Sequence, residues 1–274
     1  MYSQNQMSMR KKPVTVTTLA AMKRAGEKIA VLTAYDASFA AILEAAGVDV
    51  ILVGDSLGMV VQGRETTVPV TMDEMVYHSR MVARGCRYPL LVVDLPFMSY
   101  ASSDQALHNA ARLMQDGHAQ MVKLEGGSAR VEVVRELNRN GIPVCAHLGL
   151  LPQSVHKLGG YKVQGREEAA ARQIIDEALL LQDAGADLLV AECIPSELAA
   201  RLSEQLAIPV IGIGAGPYCD GQVLVLYDML GITQGHRPRF SKNFMEDQSS
   251  VEKAIAAYVQ AVKQRDFPTP EHSF

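Results

Sequence analysis

Residues 50–56 read Val50-Ile51-Leu52-Val53-Gly54-Asp55-Ser56, four aliphatic side chains closed by a glycine, an acid and a hydroxyl. An unbroken apolar run of this length is the pattern of a strand buried on both faces of a parallel sheet. The same grammar recurs along the chain. Strands are predicted over residues 29–36, 48–56, 89–96, 119–126, 143–150, 187–193 and 209–216, and less cleanly over 221–230. Helix signals fill the gaps. Asp36 and Ser38 open an alanine-rich stretch ending at Gly47, and Thr71 precedes a periodic run ending at Gly85. Ser102 or Ser103 caps a segment that stops at Gly117. Residues 167–184 are followed by Gly185, Ser196 opens a further segment, and 249–264 reads as a final helix. Polar residues at the start and glycine at the end match the needs of unsatisfied helix termini.

Seven or eight β–α units can close into a barrel or spread into a doubly wound sheet. The barrel is preferred for two reasons. No glycine-rich dinucleotide fingerprint follows the first strand, and polar residues stand at the ends of many strands rather than around one crevice. The predicted fold is an α/β (β/α)8 TIM barrel in a single domain over 14–274, preceded by a flexible tail over 1–13.

Composition narrows the function. The 274 residues are 48 % hydrophobic and 20 % charged, with 5 % aromatics and no Trp, so the core rests on aliphatic packing. A net charge of −4 argues against nucleic acid, which demands many phosphate-neutralising cations. The run Arg10-Lys11-Lys12 reads as a solvated terminus. Cys86, Cys145, Cys193 and Cys219 are too far apart for a zinc motif. No stretch suits a secretory signal or a membrane span, so the expected compartment is the cytoplasm and no membrane partner is expected.

The chemistry lies at the strand ends. Asp55 and Ser56 follow the strand quoted above, Asp94 follows Leu90–Val93, and Lys123 and Glu125 follow Met121-Val122. His147 follows Val144-Cys145-Ala146, and Glu192 follows Leu188–Ala191. In a barrel these positions converge on the face that carries active sites. Buried charges are costly unless paired or metal-bound. Asp55, Asp94 and Glu125, three oxygen ligands on consecutive strands, suit a hard divalent cation such as magnesium; taken singly, each acid would equally cap a helix or pair with a base. Lys123 shares the side of Glu125 at i, i+2 and is read as an electrostatic stabiliser in preference to a Schiff-base nucleophile, with a salt bridge to Glu125 as the bland alternative. Glu192 is the general-base candidate, or an arginine partner or helix cap. His147 positions substrate, shuttles a proton or is structural. Gly212-Ile213-Gly214-Ala215-Gly216 forms either an anion-binding nest or a tight strand-to-loop turn.

These residues lie in long strings that resemble the ketopantoate hydroxymethyltransferase (3-methyl-2-oxobutanoate hydroxymethyltransferase) family. The strings are LTAYDASFA at 32–40, VILVGDSLGMVVQG at 50–63, LVVDLPFMSY at 91–100, MVKLEGG at 121–127, HLGLLPQSVHKLGGYKVQGR at 147–166 and GIGAGPYCDGQVLVLYDMLG at 212–231. The resemblance runs from about residue 14 to the last residue. Leu151 and Tyr227 depart from it, at positions away from the expected chemistry. It implies one Mg2+ per subunit on Asp55, Asp94 and Glu125, with 3-methyl-2-oxobutanoate bound by Asp55, Ser56, Asp94 and Lys123. It also implies Glu192 as proton acceptor, 5,10-methylenetetrahydrofolate as one-carbon donor, and 2-dehydropantoate and tetrahydrofolate as products, in pantothenate (coenzyme A) synthesis by a homodecamer. The glycine-rich stretch 156–166 is the expected closing loop. Two alternatives are another magnesium-dependent 2-oxo-acid lyase or aldolase on a related barrel, and a non-catalytic binding barrel.

Overall fold

The computed structural model describes residues 12–233 and 237–274; the tail expected over 1–13 lies outside them except for its last two residues. Eight parallel strands close on themselves in sequence order. They are β1 (Ile29–Thr33), β2 (Val50–Val53), β3 (Leu90–Asp94), β4 (Met121–Glu125), β5 (Val144–Gly149), β6 (Leu188–Glu192), β7 (Val210–Ile213) and β8 (Gly221–Leu224). The seam is the pairing of β8 with β1, in which Val31 stands opposite Val223.

Apart from Gly149 and Glu192 at the ends of β5 and β6, each strand is buried because its two faces meet different apolar partners. Val31, Val50, Leu52, Val92, Cys145, Leu188, Val190, Ile211 and Val223 form one buried cluster inside the barrel, whereas Leu32, Ile51, Val53, Val93 and Leu124 belong to the layer under the helices. The interior is filled: the void among these inward residues measures about 10 Å³, barely what one water requires.

The outer layer is made of α1 (Val16–Ala25), α2 (Ala37–Ala45), α3 (Met72–Gly85), α4 (Ser103–Gln115), α5 (Val131–Arg139), α6 (Glu168–Asp183), α7 (Ser196–Gln205) and α8 (Val251–Gln264). Their starts follow the predicted chemistry. Asp36 Oδ1 accepts from Phe39 N–H at 2.9 Å, and Ser102 caps α4. Thr71 and Glu74 form a reciprocal capping box at the start of α3, satisfying two donors that the first turn leaves unpaired. The structure adds α1 and α5, which the sequence reading did not single out.

Every strand is shorter than its predicted run, and the last departs most. β8 ends at Leu224, and Leu226–Met229 turns helical as Leu226 N–H donates to Thr33 Oγ1 at 2.9 Å. No helix separates β7 from β8, so α8 covers the closing seam instead. Its Tyr258, fully buried, places its hydroxyl 2.9 Å from both Val31 O on β1 and Gln222 O on β8, sharing one hydrogen between them. Among the described residues no helix is long and apolar enough to cross a membrane, and all four cysteines are free.

Tyr258 is therefore the pin of the seam. Tyr258→Phe should cost about 1 kcal/mol for the lost hydrogen bond, and Tyr258→Ala about 3–5 kcal/mol for the cavity. Denaturant unfolding at fixed protein concentration checks both, and unchanged stability in Tyr258→Phe would contradict the pin.

Candidate active site

Side chains alternate along a strand with a period of two, and this parity builds the site. Below Asp94 on β3 come the inward residues Val92 and Leu90; below Lys123 and Glu125 on β4 comes Met121; below His147 on β5 comes Cys145; below Glu192 on β6 come Val190 and Leu188. The polar residues are the next members of apolar inward columns, at the C-terminal mouth. The register sets Asp94 beside Lys123 and Glu125 beside His147.

Asp55, Asp94, Lys123, Glu125, His147 and Glu192 meet in one connected group, whereas the Ser56 hydroxyl turns to Tyr35. Lys123 Nζ donates to Asp94 Oδ1 at 2.7 Å, and Asp55 N–H donates to Asp94 Oδ2 at 3.0 Å. His147 stands between two acids, with Nδ1 3.5 Å from Glu125 Oε1 and Nε2 3.2 Å from Glu192 Oε2. Both of these are charge contacts, because neither ring nitrogen has hydrogen-bond geometry to a partner. Ser56 Oγ shares a hydrogen bond of 2.9 Å with Tyr35 Oη. Asp55, Asp94, Lys123, Glu125 and His147 are each no more than 5 % exposed.

The group is short of positive charge. Burial first, then the neighbouring carboxylates of Asp94 and Glu125, push the Asp55 pKa well above its usual range. Burial would lower the Lys123 pKa, but Asp94, then Glu125 and Asp55, raise it beyond that of a free lysine. For His147, burial and Lys123 oppose the charged form, while Glu125 and Glu192 outweigh them and raise it to about 9. Four carboxylates thus face one lysine and one histidine. Among the described residues no three His, Cys, Asp or Glu side chains already form a closed ligand set, since Asp94 is engaged by Lys123 and Glu125 by its neighbours. The oxygen-only donors and the surplus negative charge nevertheless fit a hard divalent cation.

Gln153 is the residue that sequence reasoning missed. It is buried on the turn Pro152–Ser154 after β5. Its Nε2 donates to Asp55 Oδ2 at 2.9 Å and to Leu95 O at 3.0 Å, and its backbone N–H donates to Glu125 Oε2 at 3.0 Å. Tyr100 Oη donates to Gln153 Oε1 and accepts from Glu125 N–H at 3.3 Å. The neutral Gln153 side chain thereby fixes Asp55, and its backbone fixes Glu125, without adding charge.

Two further stretches named in the sequence can be placed. The glycines at 214 and 216 make a close-packed turn, the second of the two readings offered. Gly214 has φ 58°, and a Cβ there would stand 2.9 Å from the Phe240 ring and 3.1 Å from that of Phe274; at Gly216, φ 76°, it would stand 2.2 Å from Ser196 Oγ. The stretch 156–166 lies across the mouth. Its Tyr161 Oη reaches Met59 Sδ at 3.5 Å beyond β2, and Gln164 N–H donates to Cys193 O at 2.9 Å just past β6.

A family model described as ketopantoate hydroxymethyltransferase matches residues 13–270. The chain belongs to the ketopantoate hydroxymethyltransferase family. Its similarity to curated members is high: 63 % identity to the 3-methyl-2-oxobutanoate hydroxymethyltransferase of Nitrosococcus oceani, over 95 % of this chain and 99 % of that one. The namesake from Alkalilimnicola ehrlichii is 61 % identical over 96 % and 95 %. Among solved structures, a phosphonomutase of Burkholderia cenocepacia J2315, so described provisionally, is similar with a TM-score of 0.61 at 18 % identity, over 79 % of this chain and 94 % of that one. A phosphonopyruvate hydrolase solved with oxalate and Mg++ is similar with a TM-score of 0.58 at 13 % identity, over 77 % and 80 %. Those two likenesses concern the barrel alone.

Because the Gln153 side chain holds one oxygen of Asp55, Gln153→Leu should weaken binding of Mn2+, as a magnesium surrogate, by roughly ten- to a hundredfold in calorimetric titration. Unchanged affinity would show that Asp55 needs no such support.

Proposed function

We propose that this chain transfers a hydroxymethyl group from 5,10-methylenetetrahydrofolate to 3-methyl-2-oxobutanoate, giving 2-dehydropantoate and tetrahydrofolate, as a cytosolic homo-oligomer in pantothenate synthesis. Curated relatives with 63 % and 61 % identity carry the name of this activity. The observation that carries the chemistry is the buried cluster in which Lys123 and Asp94 pair at 2.7 Å amid further acids. Asp55, Asp94 and Glu125 would hold the magnesium ion. When bound, the cation supplies Lewis-acid polarisation of the ketone and so acidifies the C3 proton of the oxo acid.

The remaining work falls to the chain's own side chains. Ser56 and Lys123 bind and orient the oxo acid beside Asp55 and Asp94. Lys123 stays protonated, because three carboxylates raise its pKa. It is therefore a poor amine nucleophile and a good stabiliser of the enolate oxygen. Glu192 accepts the C3 proton, and His147, 3.2 Å away, holds the carboxylate in place. The electron pair left on C3 forms a bond to the donor's methylene carbon, whose two bonds to folate nitrogens break in turn. Water gives that carbon its hydroxyl, and the remaining water proton together with the one held by Glu192 goes to the two nitrogens of the departing tetrahydrofolate. Residues 156–166 exclude bulk water during that step. The lyase or aldolase alternative has only the barrel in its favour.

Consumption of 3-methyl-2-oxobutanoate should require both methylenetetrahydrofolate and Mg2+; turnover without folate would sink the assignment. Glu192→Gln should lower kcat roughly 10²–10⁴-fold, with loss of C3–H exchange into D2O. Borohydride treatment in the presence of the oxo acid should leave Lys123 unmodified, and a trapped adduct detected by mass spectrometry would overturn its electrostatic role.

A further inference from the structure

Where β6 leads into α7, the mouth carries a second cavity of about 320 Å³, lined by Val163, Arg166, Pro195, Ser196, Glu197 and Phe274. Its walls are tied down. Gln164 N–H donates to Cys193 O, one residue past Glu192, and so fixes the 163–166 wall to the strand that bears the proposed base. Ser196 N–H and Oγ donate to Phe274 O at 2.9 and 3.0 Å. The close approach of Ser196 to Gly216 fixes the opposite wall. Its charged groups are not tied down. Among the described residues neither the Arg166 nor the Glu197 side chain has a hydrogen bond or ion pair, although both line the same space.

The proposed reaction brings two molecules to one carbon. The buried acid cluster suits the small oxo acid, and the larger donor has to approach from the open side next to Glu192. A reduced folate offers a flat bicyclic ring, an edge with adjacent N–H donors, and an anionic tail. The cavity offers apolar sides in Val163, Pro195 and the Phe274 ring, one carboxylate to accept a pair of N–H donors, and one guanidinium for anionic groups. Its volume is at the low end for small-molecule sites, which run from about 300 to 1,000 Å³, enough for the ring but not for the whole donor.

We infer that this cavity seats the pterin ring of the one-carbon donor, with Glu197 accepting from its amino edge and Arg166 facing its anionic groups. The inference rests on the donor assigned under the proposed function.

The test uses the Mg2+-loaded full chain and measures KM for each substrate separately. Glu197→Gln and Arg166→Gln should each raise KM for methylenetetrahydrofolate about tenfold or more, with KM for 3-methyl-2-oxobutanoate within about twofold of the unaltered value. Unchanged donor KM in both variants overturns the inference. So does a parallel rise in both KM values, which would make these residues supports of the mouth. A second measurement needs no variant: tetrahydrofolate added to the unaltered protein should slow amide hydrogen exchange at residues 163–166 and 195–198. Saturating tetrahydrofolate with no protection there overturns the cavity assignment alone. Absence of any folate-dependent product from the unaltered protein overturns the donor itself, and the cavity assignment with it.

Discussion

Asp94 and Lys123 meet at 2.7 Å, both almost sealed from water, and the rest of the mouth is built around that pair. Taking an ammonium and a carboxylate out of water costs several kcal/mol per ion, and their attraction repays it only with good geometry and further hydrogen bonds. Here the carboxylate receives a second donor from Asp55 N–H, and the ammonium lies in the field of Glu125 and Asp55. The same packing leaves the acids in excess. Such an excess of buried carboxylate is costly by itself and would be offset by a bound divalent cation. That is the logic of a site selected for chemistry rather than for stability.

What brings the cluster together is strand parity. In β3, β4, β5 and β6 the inward columns run apolar from below and turn ionisable at the top layer. A one-residue slip in any strand would turn its charged residue into the layer under the helices, so closing the barrel and assembling the site are one event. Asp55 departs from this rule, because it lies beyond the end of β2 and reaches the group through its backbone N–H and through Gln153.

Much of this was legible in the sequence. The strand runs, most helix starts and the ends bearing Asp55, Asp94, Lys123, Glu125, His147 and Glu192 were all readable, because apolar runs ending in single charges are a strong one-dimensional signal. Gln153 and Tyr100 were not. They are neutral, they act through the hydrogen bonds of one turn, and nothing in a polar amide after proline distinguishes a buried support from a surface loop. The end of β8 was misjudged because residues 221–230 are apolar throughout, and periodicity cannot separate a buried strand from a buried helical turn. The glycines at 214 and 216 were ambiguous because their reason, the rings of Phe240 and Phe274 and the Ser196 hydroxyl, comes from residues far along the chain.

The central claim is that acids from neighbouring strands gather around one hard ion that grips an oxo acid. Anomalous diffraction from crystals grown with Mn2+ and 3-methyl-2-oxobutanoate tests it most directly. The account predicts one strong peak in contact with oxygens of Asp55, Asp94 and Glu125 and with the oxo acid. Manganese bound elsewhere, with those three side chains still held only by Lys123, Gln153 and His147, would contradict it.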